Sequence, residues 1–335
     1  MLKYILKRLF ISIFVLLGVS IIIYILVRMM PNDYLDIKFA SQLQQGSITL
    51  DQLAEFKEQY GIGDNSFMGL ISGYFRWLGN MLQGDMGTSF KYEKPVSQVI
   101  GENMWVSFAI AIIATVLQFA IAIPLGITSA THQYSKRDYA VTIFTMIGIS
   151  LPTYFFAAII VKVFSVELGW FPSSGLISGS ATYPDTFGGF MAKLLDMAHH
   201  LVLPILCTVI LSLGGLMRYT RTNTLEVLSA DYIRTARAKG LPENQVIYKH
   251  AFRNTMIPLV TLLAGILPSL FGGMMITEEV FAIDGIGRLA YKALSEGDIP
   301  FVMGYNMFLA VLTVIGTLFS DIMYSVVDPR VKLGK

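Results

Sequence analysis

Few side chains of this 335-residue sequence have the type and spacing that acid–base, nucleophilic or metal chemistry requires. Its four histidines include the adjacent pair His199-His200, which would not share a face of a helix. No HxxxH or Cys-His cluster occurs, so the sequence predicts no metal site. Serines occur within apolar segments, but a serine nucleophile needs a base at the same depth, and no histidine lies there. Hydrolytic catalysis is therefore disfavoured.

The residues needed for nucleotide chemistry are missing as well. A phosphate-binding loop follows the pattern G-x-x-x-x-G-K-[ST], which this sequence does not contain. The nearest glycine-rich stretch, LFGGMMI, lies within an apolar segment. No patch of interleaved basic and aromatic residues suggests nucleic acid as a partner. We therefore expect this chain to bind no ATP and no other cofactor of its own.

Charged side chains are concentrated in one stretch, ADYIRTARAKGLPENQVIYKHAFRNT, residues 230–255. Asp231 and Arg234 are three residues apart and can pair on a helix. Ser229 is predicted to cap the start of that helix, and Gly240 is predicted to end it in the left-handed conformation. The following Leu-Pro suits the start of a second helix, which is expected to run to about residue 253. The pattern predicts a charged helical hairpin with a sharp corner.

Two interpretations of this hairpin remain open on physical grounds. In the first it is a solvated connector whose basic face meets anionic lipid head groups. In the second it is a rigid element that docks into a protein partner. Helix-end signals on both sides of the corner provide more order than a passive connector needs, which favours docking.

Long apolar segments flank the hairpin on both sides. The sequence is 54% hydrophobic and only 14% charged, against about 25% charged in soluble domains. A helix needs roughly 20 apolar residues to cross a bilayer core about 30 Å thick. Six segments qualify: 9–30, 106–130, 139–164, 201–219, 256–276 and 301–327. The sequence therefore predicts an all-α polytopic membrane protein with six transmembrane helices and a helical external insertion between the first two.

The distribution of charge predicts the orientation in the membrane. With six spans, both termini lie on the same side as the hairpin. The segments 1–8, 132–138, 220–255 and 328–335, with Arg218 beside them, hold 15 of the 25 basic residues but only 5 of the 23 acidic ones. Basic residues accumulate on the cytoplasmic side of membrane proteins. We therefore expect cytoplasmic termini and a cytoplasmic hairpin.

These elements divide the chain into four predicted regions. Residues 1–30 hold the N-terminal segment and first span, 31–103 an external region, 104–327 a five-helix core that includes the loop 220–255, and 328–335 a cytoplasmic tail. In the external region, Thr49 and Gln52 have the spacing of a capping box, and Gly61 is a candidate C-cap. An amphipathic stretch at 67–81 is expected to lie along the membrane interface.

Helix-breaking residues within the spans indicate where the bundle could bend. Pro268, Gly272 and Gly273 interrupt the fifth span and are candidates for a gate. Glu278 and Glu279 follow at its external end, where they could line an outer gate, contact a docking protein or simply be wetted by solvent. Among polar residues inside spans, Gln118 is expected to make a helix–helix hydrogen bond and Asp321 to be a satisfied structural carboxylate rather than a transport site.

Several motifs together resemble one family. The stretches are DYIRTARAKGL at 231–241, HAFRNTMIP at 250–258, GDMGTSF at 84–90, LGWFPSSG at 168–175 and EEVFAIDGIGRLAYKA at 278–293. Their order and sequence resemble the permeases of ABC importers, in the oligopeptide, dipeptide and nickel branch. The long external region is similar to the first of the two permease subunits of peptide systems. Thr235-Ala236-Arg237 stands where the older pattern of the family has Glu-Ala-Ala.

This resemblance implies a type I ABC importer permease fold in the cell membrane, with the hairpin as the loop that couples to ATPase subunits. The implied coupling residues are Asp231, Tyr232, Arg234, Thr235, Ala236, Arg237, Lys239, Gly240 and Leu241. The implied partners are a second, paralogous permease, two cytoplasmic ATPases that bind ATP and Mg, an extracytoplasmic binding lipoprotein or periplasmic protein, and membrane lipid. Peptides are the implied substrates, with nickel, glutathione or another small solute as alternatives. An ATP-independent carrier and a membrane-embedded enzyme are the alternatives of another class.

Overall fold

The computed structural model describes residues 2–29, 39–40, 43–46, 48–53, 66–260 and 262–327, and these fold mainly into helices, with no named β-strand among them. The helices are α1 (Leu2–Arg28), α2 (Phe67–Leu82), α3 (Val96–Thr131), α4 (Lys136–Ser150), α5 (Thr153–Ile160), π1 (Val161–Glu167), α6 (Phe187–Leu228), α7 (Asp231–Ala238), α8 (Glu243–Gln245), π2 (Val246–Ala251), α9 (Phe252–Val260), α10 (Leu263–Phe271), α11 (Met275–Val280), α12 (Ile286–Ser295) and α13 (Ile299–Val327). The predicted all-α class is confirmed.

The bundle is built around the long helices α3 and α6, which lie side by side and run in the same direction. The side-chain amide of Gln118 donates to the carbonyl of Ser212 at 3.1 Å, which confirms the predicted helix–helix bond. Farther along, Gly126 lets the two helices approach so closely that a Cβ there would lie 2.7 Å from Cβ of Thr220. At 1.5 Å per residue, the 42 residues of α6 extend for about 60 Å, beyond any bilayer core.

Four of the predicted spans are single long helices, and the third is a bent pair of helices. Four helices within the described residues are long and apolar enough to cross a membrane: Leu6–Arg28, Val96–Thr131, Phe187–Leu228 and Ile299–Met323. The predicted third span is a pair of helices, Lys136–Ser150 and Thr153–Glu167, bent by 106°. Pro152 stands at this bend with an extended backbone. Helix α4 stops before it, because proline has no N–H to donate the hydrogen bond that would continue the helix.

The predicted fifth span is interrupted, as its prolines and glycines indicated. Helix α10 (Leu263–Phe271) stops before Gly272, and the next helix begins only at Met275, so the expected interruption of this span at Gly272 and Gly273 is confirmed. Two prolines, Pro258 and Pro268, lie inside the short helices α9 and α10, and each removes a backbone donor from the helical ladder. The segment is therefore jointed, as the third span is at Pro152.

The first helix packs on the outside of this bundle. It lies against α13 and α2, with the hydroxyls of Ser20 and Tyr74 2.8 Å apart. Near its other end, Nη2 of Arg8 donates to Oδ1 of Asp321 at 3.4 Å, and Nε lies 3.2 Å from Oδ2. Asp321 is thus ion-paired, but the expectation of a satisfied carboxylate holds only in part, because Oδ2 accepts no hydrogen bond from the described residues. The predicted capping box is also present, because the Thr49 amide donates to Oε1 of Gln52 at 2.9 Å. Gly61 lies outside the described residues, and the four-region division of the chain stays a prediction.

Candidate functional site

The candidate site is the hairpin, defined here as residues 229–251, which follows α6 without a linker. Helix α7 begins at Asp231, and its N-cap is Ala230, whose backbone is extended. The prediction that Ser229 caps α7 is wrong. Its backbone is still helical, with φ −83° and ψ −10°, and its hydroxyl donates back to the carbonyl of Glu226 at 2.7 Å. Ser229 therefore ends α6, and only one residue separates it from α7.

The corner of the hairpin has the geometry that the sequence predicted. Gly240 has φ +75°, in the left-handed region that glycine adopts without a steric cost. Its amide donates to the carbonyl of Arg237 at 2.9 Å, and the amide of Leu241 donates to that of Ala236 at 3.4 Å. This pair of bonds is a Schellman motif, which fixes the direction in which the chain leaves a helix.

A small apolar core makes the hairpin a unit with its own packing. Ile233, Ala236, Val246 and Ala251 are buried against one another. Val227, Leu228 and Leu241 pack around them, so this core is continuous with the last turn of α6. Because Ala236 is buried, it supports α7 from inside, whereas the sequence had grouped it with residues that would contact a partner.

The second arm of the hairpin continues directly into the membrane segment. From Glu243 to Val260 the chain is helical throughout, first as α8, then as the wider π2 and then as α9. The predicted end near residue 253 is therefore too early. Both arms are joined to apolar helices without an intervening coil, so a displacement of the hairpin must move α6 and α9.

An ion pair across the corner was not evident from the sequence. Nη2 of Arg237 donates to Oε1 of Glu243 at 2.6 Å, and Nε donates to Oε2 at 3.2 Å. This contact lowers the pKa of the Glu243 carboxyl and raises the pKa of Arg237. The predicted pair of Asp231 and Arg234 is also present at 3.7 Å, although both side chains are exposed. Such exposed pairs contribute little to stability, about 0–1 kcal/mol each.

The outer face of the hairpin is aromatic and cationic. Tyr232 and Tyr248 expose 47% and 59% of their surface, respectively. Arg234, Thr235 and Lys239 are exposed on the same arm as Tyr232. Tyrosine and arginine are the residues most enriched at the centres of protein interfaces. The face has the chemistry of a docking surface.

Glu278, one of the gate candidates, lies in a different environment from the one expected. It is fully buried, so the interpretation of this residue as a solvent-wetted helix end is wrong. Its carboxylate accepts from the hydroxyl of Ser107 at 2.7 Å and from the amides of Met274 and Arg288, both at 2.9 Å. A buried carboxylate is stable only when it is satisfied in this way. Glu279 is half-exposed and pairs with Nε of Arg288 at 3.0 Å.

The other gate candidates form a tight joint next to Glu278. Gly273 has φ +72°, and a Cβ there would lie 2.3 Å from the amide nitrogen of Gly287. The carbonyl of Gly272 accepts a hydrogen bond from the hydroxyl of Tyr305, and its amide donates to the carbonyl of Pro268 at 2.7 Å. The chain turns here because two glycines allow close backbone contact. A gating role for these residues stays a prediction.

A second buried carboxylate, which sequence reasoning did not single out, explains the GDMGTSF stretch. Asp298 is fully buried and accepts a hydrogen bond from the hydroxyl of Ser89. It also accepts from the amides of Phe90, Lys91 and Phe301, at 3.2, 3.1 and 3.3 Å. We call the region around Asp298 and Glu278, residues 84–107 and 272–301, the carboxylate cap. It lies at the end of the bundle away from the hairpin.

Comparison with known proteins decides the family. Residues 122–333 match the model of the "Binding-protein-dependent transport system inner membrane component" family, and this stretch contains the hairpin and every gate candidate. The chain belongs to this family. As a member of this permease family it is a transport component of a membrane, and the alternative of a membrane-embedded enzyme is set aside.

Relatives of this permease cover nearly its whole length. It is 37% identical to the oligopeptide transport system permease protein AppB of Bacillus subtilis strain 168, over 99% of this chain and 100% of that protein. It is 31% identical to the dipeptide transport system permease protein DppB of Alkalihalophilus pseudofirmus, over 99% of this chain and 100% of that protein. The recognised family is therefore confirmed.

A solved structure supports the fold of the permease. The MetNI methionine ABC transporter, in an inward-facing conformation, matches with a TM-score of 0.51 at 17% identity, over 69% of this chain and 97% of that one. At this identity the likeness concerns the fold alone. The predicted type I ABC importer permease fold is confirmed.

Proposed function

We propose that this permease is one of the two membrane subunits of an ATP-driven peptide importer, and that its hairpin receives the movement of an ATPase subunit. The observation that carries this proposal is the construction of the hairpin. It is a rigid unit with its own core, an exposed aromatic and cationic face, and no linker to α6 or α9. A passive connector needs none of these features.

The absence of a phosphate-binding loop from the sequence and the distribution of its charge indicate the direction of coupling. No phosphate-binding loop occurs in the sequence, so ATP and Mg would be bound by two partner ATPases. Basic residues are concentrated in the hairpin and the segments on its side, which supports a cytoplasmic hairpin and cytoplasmic termini in the cell membrane. Closure of the ATPases would then displace the hairpin and tilt α6 and α9.

The remaining partners follow from the family. A second, paralogous permease would complete the translocation pathway, because one helical bundle would line only one side of that pathway. A binding lipoprotein or periplasmic protein would deliver the substrate to the end that carries the carboxylate cap. The names of relatives from two genera, given for oligopeptides and dipeptides, support peptides as the substrate. Nickel and glutathione are the competing substrates of the same machinery.

Peptide transport by the reconstituted transporter tests this function. The permease pair, both ATPases and the binding protein are reconstituted into liposomes, with the ATPases facing outward and the binding protein enclosed. Export from the lumen of labelled di- and oligopeptides, nickel and glutathione is then compared with and without ATP. We expect ATP-dependent movement of peptides that requires the binding protein. Movement of peptides without ATP would support a carrier, and movement of nickel or glutathione alone would overturn the peptide assignment.

A further inference from the structure

We infer that the ion pair between Asp138 and Arg221 is the strut through which movement of the hairpin reaches α4. This inference rests on the proposed function of the hairpin. Arg221 lies two turns before the end of α6, so it is carried along by any displacement of the hairpin. Asp138 lies in the first turn of α4, on a different helix. The pair thus joins a helix that is pushed to one that is not.

The geometry of the pair resists both stretching and rotation. Nε of Arg221 donates to Oδ1 of Asp138 at 3.1 Å, while Nη2 donates to Oδ2 at 3.0 Å. Two parallel bonds between planar groups fix their orientation as well as their separation. The side chains of Asp138 and Arg221 are 5% and 26% exposed, so water screens this contact less than it screens fully exposed pairs.

A third helix is tied to the same carboxylate. Ser129 of α3 donates its hydroxyl to Asp138 and accepts from Nε of Arg221 at 3.0 Å. In the turn between α3 and α4, the amide of Tyr134 donates to Oδ2 of Asp138 at 2.9 Å. Tyr134 has φ +62°, a strained conformation for a residue with a side chain, which persists only when its surroundings hold it. Asp138 is therefore the point where α3, α4, their turn and α6 are joined.

Contacts deeper in the bundle give this strut its mechanical meaning. A Cβ on Gly148 of α4 would lie 2.7 Å from the carbonyl oxygen of Ile210, and a Cβ on Gly214 of α6 would lie 2.5 Å from that of Thr145. Between this contact and the ion pair, an open cleft of about 240 Å³ separates the helices. Helices α4 and α6 are thus held at a glycine pivot and at the ion pair. With both contacts α4 follows α6, and with the pivot alone it can swing.

The end of α4 shows where the movement would go. It leads to the bend at Pro152, where the direction of the chain changes by 106° before α5. A rotation of α4 about its glycine pivot would therefore shift the start of α5. Asp138 and Arg221 are positioning residues in this account, because neither needs to touch ATP or substrate.

The chain offers a matched control for charge and location. Arg8 and Asp321 form another Arg–Asp pair at the same end of the bundle, but they join α1 to α13 and not to a helix that enters the hairpin. In the fully reconstituted transporter, Asp138→Asn is compared with Asp321→Asn for peptide moved per ATP hydrolysed. We expect this ratio to fall at least about fivefold in Asp138→Asn. We expect Asp321→Asn to keep the wild-type ratio.

A crosslinking experiment separates a strut from a residue that only helps the protein to fold. Asp138→Cys and Arg221→Cys are combined and joined by a bifunctional thiol reagent that a reductant cleaves; the sole native cysteine, Cys207, is buried. We expect the joined protein to recover the ratio of transport to ATP hydrolysis, and the reductant to abolish the recovery in the same sample. Equal ratios before and after reduction, or equal losses in Asp138→Asn and Asp321→Asn, would overturn the inference.

A hairpin variant distinguishes failure of this inference from failure of the proposed function. If Gly240→Asp uncouples transport while Asp138→Asn does not, the hairpin is the coupling element but the ion pair is no strut. If neither variant changes the ratio, the hairpin itself is not the coupling element, and the inference fails with it.

Discussion

The carboxylate cap and the hairpin lie at opposite ends of the same bundle and are stabilised by different means. In the cap, Glu278 and Asp298 are buried and accept hydrogen bonds from segments as far as 209 residues away in sequence. In the hairpin, the bonds are local: the Schellman motif, a pair across the corner and a four-residue core. The cap ties remote parts of the chain into a fixed frame. The hairpin is stiff within itself and, among the described residues, is joined to the frame through α6 and α9. An element that moves as a unit should be attached in this way.

The largest expected effect is the loss of stability when the buried carboxylate of Glu278 is removed from the carboxylate cap. Glu278→Ala leaves the hydroxyl of Ser107 and the amides of Met274 and Arg288 without their acceptor in a buried site. We expect the free energy of unfolding to fall by about 3–5 kcal/mol, because several buried donors lose their acceptor at about 1–3 kcal/mol each. Thermal unfolding of the permease in detergent measures it.

The adjacent carboxylate is the control for this loss. Glu279 pairs with Arg288 but is half-exposed, so Glu279→Ala is expected to cost less than about 1 kcal/mol. If both variants lowered stability equally, the cap would not depend on its buried carboxylate, and the contrast between the two ends would fail.

The next effect concerns the outer face of the hairpin. Tyr232→Ala removes an exposed aromatic anchor and is expected to weaken ATPase binding by about 2 kcal/mol, or roughly thirtyfold in affinity. Titration of purified ATPase onto the solubilised permease pair measures the change. Tyr291 of the cap is equally exposed, 46% against 47%, so Tyr291→Ala should leave this affinity unaltered. Equal weakening by both would refute docking at the hairpin.

A smaller change in stability is expected at the corner, with a clear functional result. Gly240→Asp must place a side chain at φ +75°, which costs about 1–2 kcal/mol, although no atom of the described part of the chain lies within 4 Å of the added Cβ. We expect the protein to remain in the membrane but to uncouple ATP hydrolysis from uptake. Gly84→Asp in the cap carries the same conformational penalty, at φ +85° and also in open space, and should stay coupled. Wild-type uptake by Gly240→Asp would defeat the idea.

The smallest effect is expected at the ion pair across the corner. Glu243→Gln should lower the stability of the permease by less than about 1 kcal/mol, because the pair with Arg237 is exposed. The pKa of Glu243 is lowered in the folded protein, so its contribution is present above its unfolded pKa and is lost as pH falls through the folded value. Unfolding measured across acidic pH and in added salt should show the two proteins converge. A difference that grew as pH fell would contradict this account.

The same comparison shows what sequence reasoning could supply. Local signals were sufficient for the corner, because Gly240 follows a helix and needs only its own backbone to end it. The capping box of Thr49 and Gln52 was equally local. Ser229 was misassigned because Ser-Ala-Asp offers two adjacent positions for the start of α7, and the choice depends on how far α6 continues.

Long-range contacts account for most of what was missed. Burial of Glu278 depends on Ser107, 171 residues away, and nothing in the stretch EEVFAIDG indicates it. The pair of Asp138 and Arg221 spans 83 residues, and the sequence placed both in loops beside predicted spans. The break in the fifth span, by contrast, was expected, because its prolines and glycines are local features of the sequence. Partners that meet only after folding leave no periodic pattern.

Crosslinking from the corner tests the central claim most directly. Because Cys207 is the only native cysteine and is buried, a cysteine at Lys239 can be modified selectively. Lys239→Cys is compared in intact membranes with Lys94→Cys, whose position is exposed in the carboxylate cap. We predict that a thiol crosslinker captures a subunit with a phosphate-binding loop from position 239 and not from position 94. Capture from position 94 instead, or labelling of position 239 by a membrane-impermeant reagent added outside the cell, would contradict the account.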